Sequence, residues 1–158
     1  MSIDCDVVLL PDEELAARAI EASRKLAPLG TLFTLREGEF YPHVSVYMLQ
    51  LKDSDLPRAK KIIAGVADQT DKFMLQAIKY YQTHNFFDCE YQKTEALSKL
   101  QNSVIGLLNP VRDGMRDKDK ERMAEATGVA LENFKRYVKL PFSATPCLFS
   151  CVAAAVAA

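Results

Sequence analysis

The segment from Phe40 to Leu51 limits the fold most. It holds Tyr41, Val44, Val46 and Tyr47, residue types that pack well on a pleated surface, and it predicts a strand. On both sides the apolar spacing changes to that of helices. Pro11-Asp12-Glu13-Glu14 opens one helix, with proline in the first turn and acids at the positive end of the dipole. Leu15, Ala19, Ala22 and Leu26 form its expected stripe, and Pro28 and Gly30 stop it. Leu56, Ala59, Ile63 and Val66 mark a second helix, with Pro57 in its first turn. Leu97, Leu100, Val104 and Leu108 mark a third over Thr94 to Leu108, ended by Asn109-Pro110.

Strands are expected elsewhere too. Asp4 to Leu10 is short and apolar with β-branched residues at its centre, which predicts a buried strand. Thr31 to Leu35 predicts a short strand before a turn at Arg36-Glu37-Gly38-Glu39. Lys72 to Thr83 and Phe86 to Tyr91 predict two more around a turn at His84-Asn85. Asp117 to Arg122 alternates in charge, as a solvated helix face does, and Leu131 to Tyr137 predicts a last turn or two. Strands mixed with helices in this order indicate an α+β domain with helices packed on a sheet.

The 158 residues fit one compact domain, or two small lobes sharing a core. Lys and Arg total 20 against 21 Asp and Glu. A polybasic nucleic-acid coat is thereby excluded, while a local basic groove is not. Cys5, Cys89, Cys147 and Cys151 have no zinc-site spacing and are expected to be reduced, with no disulfide framework. The apolar run Cys147–Ala158 is shorter than the ~20 residues of a membrane span, and acids stand near the N-terminus where an export signal carries cations. The expected location is cytoplasmic, with no membrane partner.

There are two histidines. His43 lies in Tyr41-Pro42-His43-Val44-Ser45-Val46-Tyr47, so strand alternation puts Tyr41, His43, Ser45 and Tyr47 on one expected face. Val44, Val46 and Met48 take the other, toward helices. An imidazole moves protons near neutral pH, and a hydroxyl donates to a phosphate oxygen. The two stand ~7 Å apart along a strand, within reach of one phosphate. Arg36 in the preceding turn, and Arg112 and Arg116 after the third helix, are further candidates for a phosphate. Tyr41 and Tyr47 are candidates for stacking on a base. There is no P-loop, no Gly-x-Gly-x-x-Gly, no Gly-x-Ser-x-Gly and no His-Glu-x-x-His.

The opening strand, the Pro-acid helix and Phe40-Tyr41-Pro42-His43-Val44-Ser45-Val46-Tyr47 together resemble the first lobe of the 2H phosphoesterase superfamily. This group includes the 2′-5′ RNA ligase-like and cyclic phosphodiesterase-like proteins. Asn85-Phe86-Phe87-Asp88-Cys89-Glu90, the helix from Thr94 and Asn109-Pro110-Val111-Arg112 resemble its middle. The resemblance covers roughly residues 4 to 137. It implies two lobes of antiparallel sheet with flanking helices, and two His-x-Thr/Ser motifs facing each other across a groove. One histidine serves as base and the other as acid on a 2′,3′-cyclic or 2′-5′ phosphodiester, with no metal or other cofactor. His43 and Ser45 match the first motif as catalytic residue and phosphate ligand.

The second motif has no counterpart. Where it is expected the chain reads Val138-Lys139-Leu140-Pro141-Phe142-Ser143-Ala144-Thr145-Pro146, and His84 is followed by Asn85-Phe86. The expected organisation is therefore a 2H-like domain over 1–137 and an atypical apolar tail over 138–158. The second lobe is expected to be incomplete, since Pro141 and Pro146 interrupt a strand. Val152–Ala158 is expected to favour a short helix by alanine propensity. An exposed edge and uncovered apolar surface there would promote self-association. Two functions follow. One is an impaired phosphodiesterase acting on RNA ends or cyclic nucleotides. The alternative is a non-catalytic remnant of that fold that binds a nucleotide or a protein.

Overall fold

The computed structural model describes residues 1–31, 33–83, 86–128, 131–132 and 154–155. Among these the protein is mixed α+β, with two small antiparallel sheets and four α-helices.

Strand β1 (Ser2–Leu9) pairs with β2 (Val44–Lys52). The Asp53 N–H donates to the Met1 carbonyl at 2.9 Å, and Gln50 Nε2 donates to Asp4 Oδ1 at 3.4 Å. Partner numbers fall on one strand as they rise on the other, so the pair is antiparallel. β2 begins at Val44 rather than at Phe40. Pro42 has no N–H to give to a ladder, and the His43 ring is bonded to the Tyr41 carbonyl, so pairing starts after both.

Helix α1 (Glu13–Leu26) is capped by Asp12, whose carboxylate accepts the Leu15 N–H at 2.8 Å. It runs into a 3-10 turn, Ala27–Leu29, and ends at Gly30 with φ 84°, a left-handed position that glycine takes without a Cβ penalty. Its buried residues are Ala16, Ile20 and Ser23, while Leu15 is 51% exposed. This corrects the expected stripe of Leu15, Ala19, Ala22 and Leu26. The apolar arc, rich in small alanines, is wide enough to be turned either way. What selects the buried side includes Ser23, whose hydroxyl accepts the Leu35 N–H at 2.9 Å. That same bond takes an amide a strand would have used, and Thr31–Leu35 forms no strand among its described residues.

Helices α2 (Leu56–Asp68) and α3 (Glu95–Leu108) pack on each other. Thr94 caps α3, its Oγ1 accepting the Leu97 N–H at 3.1 Å. The expected face of α3 is the buried one: Leu97, Leu100, Val104 and Leu108, joined by Gln101 and Ile105. Leu108 is 0% exposed, and each leucine so buried stabilises the fold by about 1.5–3 kcal/mol. A 3-10 turn at Asn109–Val111 follows, then α4 (Asp117–Glu125), which buries no residue, as its charge pattern predicts.

The second sheet is β3 (Ala77–Thr83), β4 (Phe86–Tyr91) and β5 (Ala154–Ala155). The β3–β4 hairpin pairs Thr83 with Phe86 and Tyr80 with Cys89, with a register shift between Ala77 and Lys79. β3 begins at Ala77 rather than at Lys72, opposite the end of its partner at Tyr91. The expected turn at His84-Asn85 lies outside the described residues. Ala154–Ala155 pair with Phe87 and Phe86, so these two residues are strand where alanine propensity predicted helix. A short alanine run is marginal as an isolated helix, and the edge of β4 offers it a ladder of backbone hydrogen bonds. The rest of 133–158, including the region expected to carry the second motif, lies outside the described residues, as does most of Leu131–Tyr137.

The chain divides into two compact units. The first comprises the described residues of Met1–Val7, Tyr47–Phe73 and Lys93–Pro146. The second comprises those of Val8–Val46, Met74–Gln92 and Cys147–Ala158.

Candidate functional site

His43 and Ser45 belong to the second unit. From Tyr41 to Val46 burial alternates strictly: Pro42, Val44 and Val46 are buried, while Tyr41, His43 and Ser45 are partly exposed. Alternation thus begins ahead of the strand itself, because extended backbone turns successive side chains to opposite sides whether or not it is paired. Three of the four members of the expected stripe share one side.

The fourth, Tyr47, differs in burial. From Tyr47 onward the buried positions are odd-numbered, Tyr47, Leu49 and Leu51, and Met48 is exposed. Tyr47 is 8% exposed and is part of the first unit's core. Its hydroxyl donates to Asn109 Oδ1 at 3.1 Å. Burial pushes its phenol above the ordinary value, against the pull of the Arg112 guanidinium. Its ring is buried and not offered to a ligand, unlike the half-exposed Tyr41, His43 and Ser45. Met48, expected to point toward helices, is 37% exposed.

The geometry at His43 sets its tautomer. Nδ1 lies 2.7 Å from the Tyr41 carbonyl oxygen. A carbonyl only accepts, so Nδ1 carries the proton, and in the neutral ring Nε2 is the basic nitrogen. An imidazole oriented in this way by a backbone carbonyl can take a proton at Nε2. The Ser45 hydroxyl, two residues on and on the same side, can donate to an anion.

The loop before His43 is tightly built. Arg36 and Glu39 form an isolated antiparallel bridge and an ion pair across the turn, and Gly38 has φ 75°. The guanidinium of Arg36 is therefore engaged with Glu39 within its own turn. Phe40 follows with φ 50°, a left-handed conformation in a bulky residue, which costs on the order of 1–3 kcal/mol. Its ring stacks on Phe33, with centroids 4.9 Å apart and planes inclined by 24°. No sequence signal pointed to this pair. Gly38 marks the turn, but the stack depends on where Ser23 and Leu35 place the segment carrying Phe33.

The remaining arginine candidates are in the first unit. Arg116 is clamped by Asp119 through Nε and Nη2 at 2.7 and 2.8 Å, with Asp4 and Asp6 adding negative potential. Arg112 donates from Nε to the Gly114 carbonyl. The charge of Arg116 is thus matched by Asp119, while Arg112 is tied to a neutral carbonyl.

A cavity of about 270 Å³ in the same unit is lined by Cys5, Val7, Leu49, Leu51, Leu56, Ala59, Ile63 and Leu108, with Asp6 and Lys60. Burial, with Asp4, raises the Cys5 thiol, so the group is protonated and weakly nucleophilic at neutral pH. The Cys89 thiol is raised by burial as well. Among the described residues no three His, Cys, Asp or Glu side chains gather as a metal site. Among them, too, no helix is long and apolar enough to cross a membrane. No protein-family model matches the chain, and no curated protein is significantly similar to it.

Proposed function

We propose that the chain binds the phosphate of an RNA 2′,3′-cyclic end or of a cyclic nucleotide through His43 and Ser45, and turns it over slowly. It would be a 2′-5′ RNA ligase-like or cyclic phosphodiesterase-like protein working with one histidine motif. The observation that carries this reading is the 2.7 Å contact of His43 Nδ1 with the Tyr41 carbonyl, which makes Nε2 the proton-accepting nitrogen of the neutral ring, in a residue that is half-exposed as Ser45 is.

In hydrolysis of a cyclic phosphodiester, water attacks phosphorus and one P–O bond to the ribose breaks. His43 Nε2 takes the proton of the attacking water, and Ser45 donates to a non-bridging oxygen. The departing ribose oxygen needs a proton from a second acid. A missing acid or base typically costs about 10²–10⁴-fold in rate, so binding outlasts turnover.

Titration of the protein with 2′,3′-cyclic AMP, followed by the His43 ring resonances, tests the reading. The ligand should shift them, hydrolysis should be slow and indifferent to EDTA, and His43→Ala should abolish both effects. A His43 resonance unmoved by saturating ligand overturns it, as does rapid turnover that survives His43→Ala.

A further inference from the structure

The cavity lined by β1, β2, α2 and the end of α3 lies wholly within the first unit and plays no part in the phosphate reading. Its deepest lining is aliphatic and fully buried: Leu49 and Leu51 of β2, and Leu108 at the end of α3. Helix α2 adds Leu56, Ala59 and Ile63, three and four residues apart and so on one helix face. Packed interiors leave few voids larger than a water molecule, yet this one holds about 270 Å³. Ala59, the small residue on that face of α2, is buried. A larger side chain there would occupy part of the space.

The rim carries charge. Lys60 lines the cavity next to Ala59 and is exposed. A lysine stem lies along apolar surface while its ammonium stays in water. Lys60 forms no ion pair among the described residues. Asp6 also borders the cavity, but on a different footing. Along β1 the residues Ser2, Asp4 and Asp6 are exposed, while Ile3, Cys5 and Val7 are half-buried. Strand alternation therefore turns the Asp6 side chain to the face opposite Cys5 and Val7, and its negative potential acts on Arg116. An aliphatic interior is thus paired with one cation at its rim.

We infer that this cavity is a binding site for a medium-chain aliphatic monocarboxylate, its chain against Leu49, Leu51 and Leu108 and its carboxylate on the Lys60 ammonium. Size and lining give the class. An apolar cavity of about 150 Å³ holds a molecule the size of benzene. The larger volume here takes a chain of roughly eight to ten carbons. Among the described residues no aromatic ring lines the wall, so the surface suits a flexible chain rather than a stacked ring. Each methylene taken out of water strengthens binding roughly fourfold. The chain therefore supplies the affinity, and Lys60 selects the charge.

Calorimetry on the full chain with octanoate, acetate and octylammonium tests the site. Octanoate should bind roughly a hundredfold or more tightly than acetate, and about two- to fivefold more tightly than octylammonium, the range for an exposed ion pair. Lys60→Glu should reverse the order of octanoate and octylammonium. Ala59→Leu should weaken both by filling the cavity. In the wild-type protein octanoate should shift the methyl resonances of Leu49, Leu51 and Ile63 and leave those of Ile20 and Val44, in the second unit, in place. That measurement does not depend on any variant folding. Octanoate binding no tighter than acetate overturns the site, as do methyl shifts confined to other residues or unchanged affinity in a folded Ala59→Leu. Octylammonium binding as tightly as octanoate, or an order that persists in Lys60→Glu, overturns the anionic class. Methyl shifts at Leu49, Leu51 and Ile63 that follow protein concentration without ligand show a second copy on this face, and overturn the proposal as well.

Discussion

Ser23 of α1 is fully buried, and its hydroxyl accepts the backbone N–H of Leu35 at 2.9 Å. Leu35 is itself almost completely buried. One side chain therefore ties the helix to the segment between Phe33 and Phe40, the aromatic pair in front of His43. A polar residue in an otherwise apolar helix face is there because a buried amide needs an acceptor.

Ser23→Ala should leave the Leu35 amide without that acceptor. The expected loss is about 1–3 kcal/mol of stability, measured by urea unfolding, with faster amide exchange at Leu35. Unchanged stability together with unchanged exchange at Leu35 would refute the tie.

Tyr47 gives a stability change on the alkaline side. Its folded pKa is raised by burial, and the thiols of Cys5 and Cys89 are raised as well. A group harder to ionise when folded favours the fold while it is neutral in both states. The unfolded chain loses the proton first, so stability should fall as pH rises past about 8.5 for the thiols and about 10 for the phenol. Tyr47→Phe should cost about 0.5–1.5 kcal/mol at neutral pH, from the lost bond to Asn109. It should also flatten the upper part of the alkaline decline. Denaturant unfolding at stepped pH reads both effects.

Arg116 and Asp119 hold the first turn of α4, with side chains only 11% and 13% exposed. Asp119→Asn keeps the shape and removes the charge. The expected loss is about 1.5–3 kcal/mol, the range for hydrogen bonds to charged groups, partly offset by Asp4 and Asp6 nearby. A thermal melt unchanged by this substitution would show that the clamp contributes nothing to the fold.

Thr94→Ala removes the cap of α3 and should cost about 1 kcal/mol, whereas Thr94→Ser should be close to neutral because it retains the accepting oxygen. The two variants side by side separate the cap from the loss of a methyl group.

The clearest sequence signals came from α3, where Thr94 and the spacing of Leu97, Leu100, Val104 and Leu108 agree with the cap and buried face that form. The opening of α1 within Pro11–Glu14 (though Pro11 lies before the cap, not in the first turn), its stop at Gly30 and the solvated α4 were equally readable. Each is a local matter, decided by caps, dihedrals and spacing within one turn. The half-exposed trio Tyr41, His43 and Ser45 was readable for the same reason, since alternation is a property of extended backbone.

Less was legible where a choice depended on residues far along the chain. The alternation that places His43 also predicted a half-exposed Tyr47, yet Tyr47 is buried, and Asn109, 62 residues later, accepts its hydroxyl. The alanine-rich end favoured helix by itself, but Ala154 and Ala155 meet the edge of β4. The stack of Phe40 on Phe33 depends on a turn closed by Gly38 and on an amide held by Ser23. By itself the sequence determined most of the helices and strands, with Thr31–Leu35 and Ala154–Ala155 the exceptions, and that a histidine and a hydroxyl stand two residues apart on one side. Only the tertiary structure decided which faces are buried and which rings meet. Those outcomes depend on packing and hydrogen bonds between distant residues, and local propensity, at a few tenths of a kcal/mol to about 1 kcal/mol per residue, is too weak to decide them.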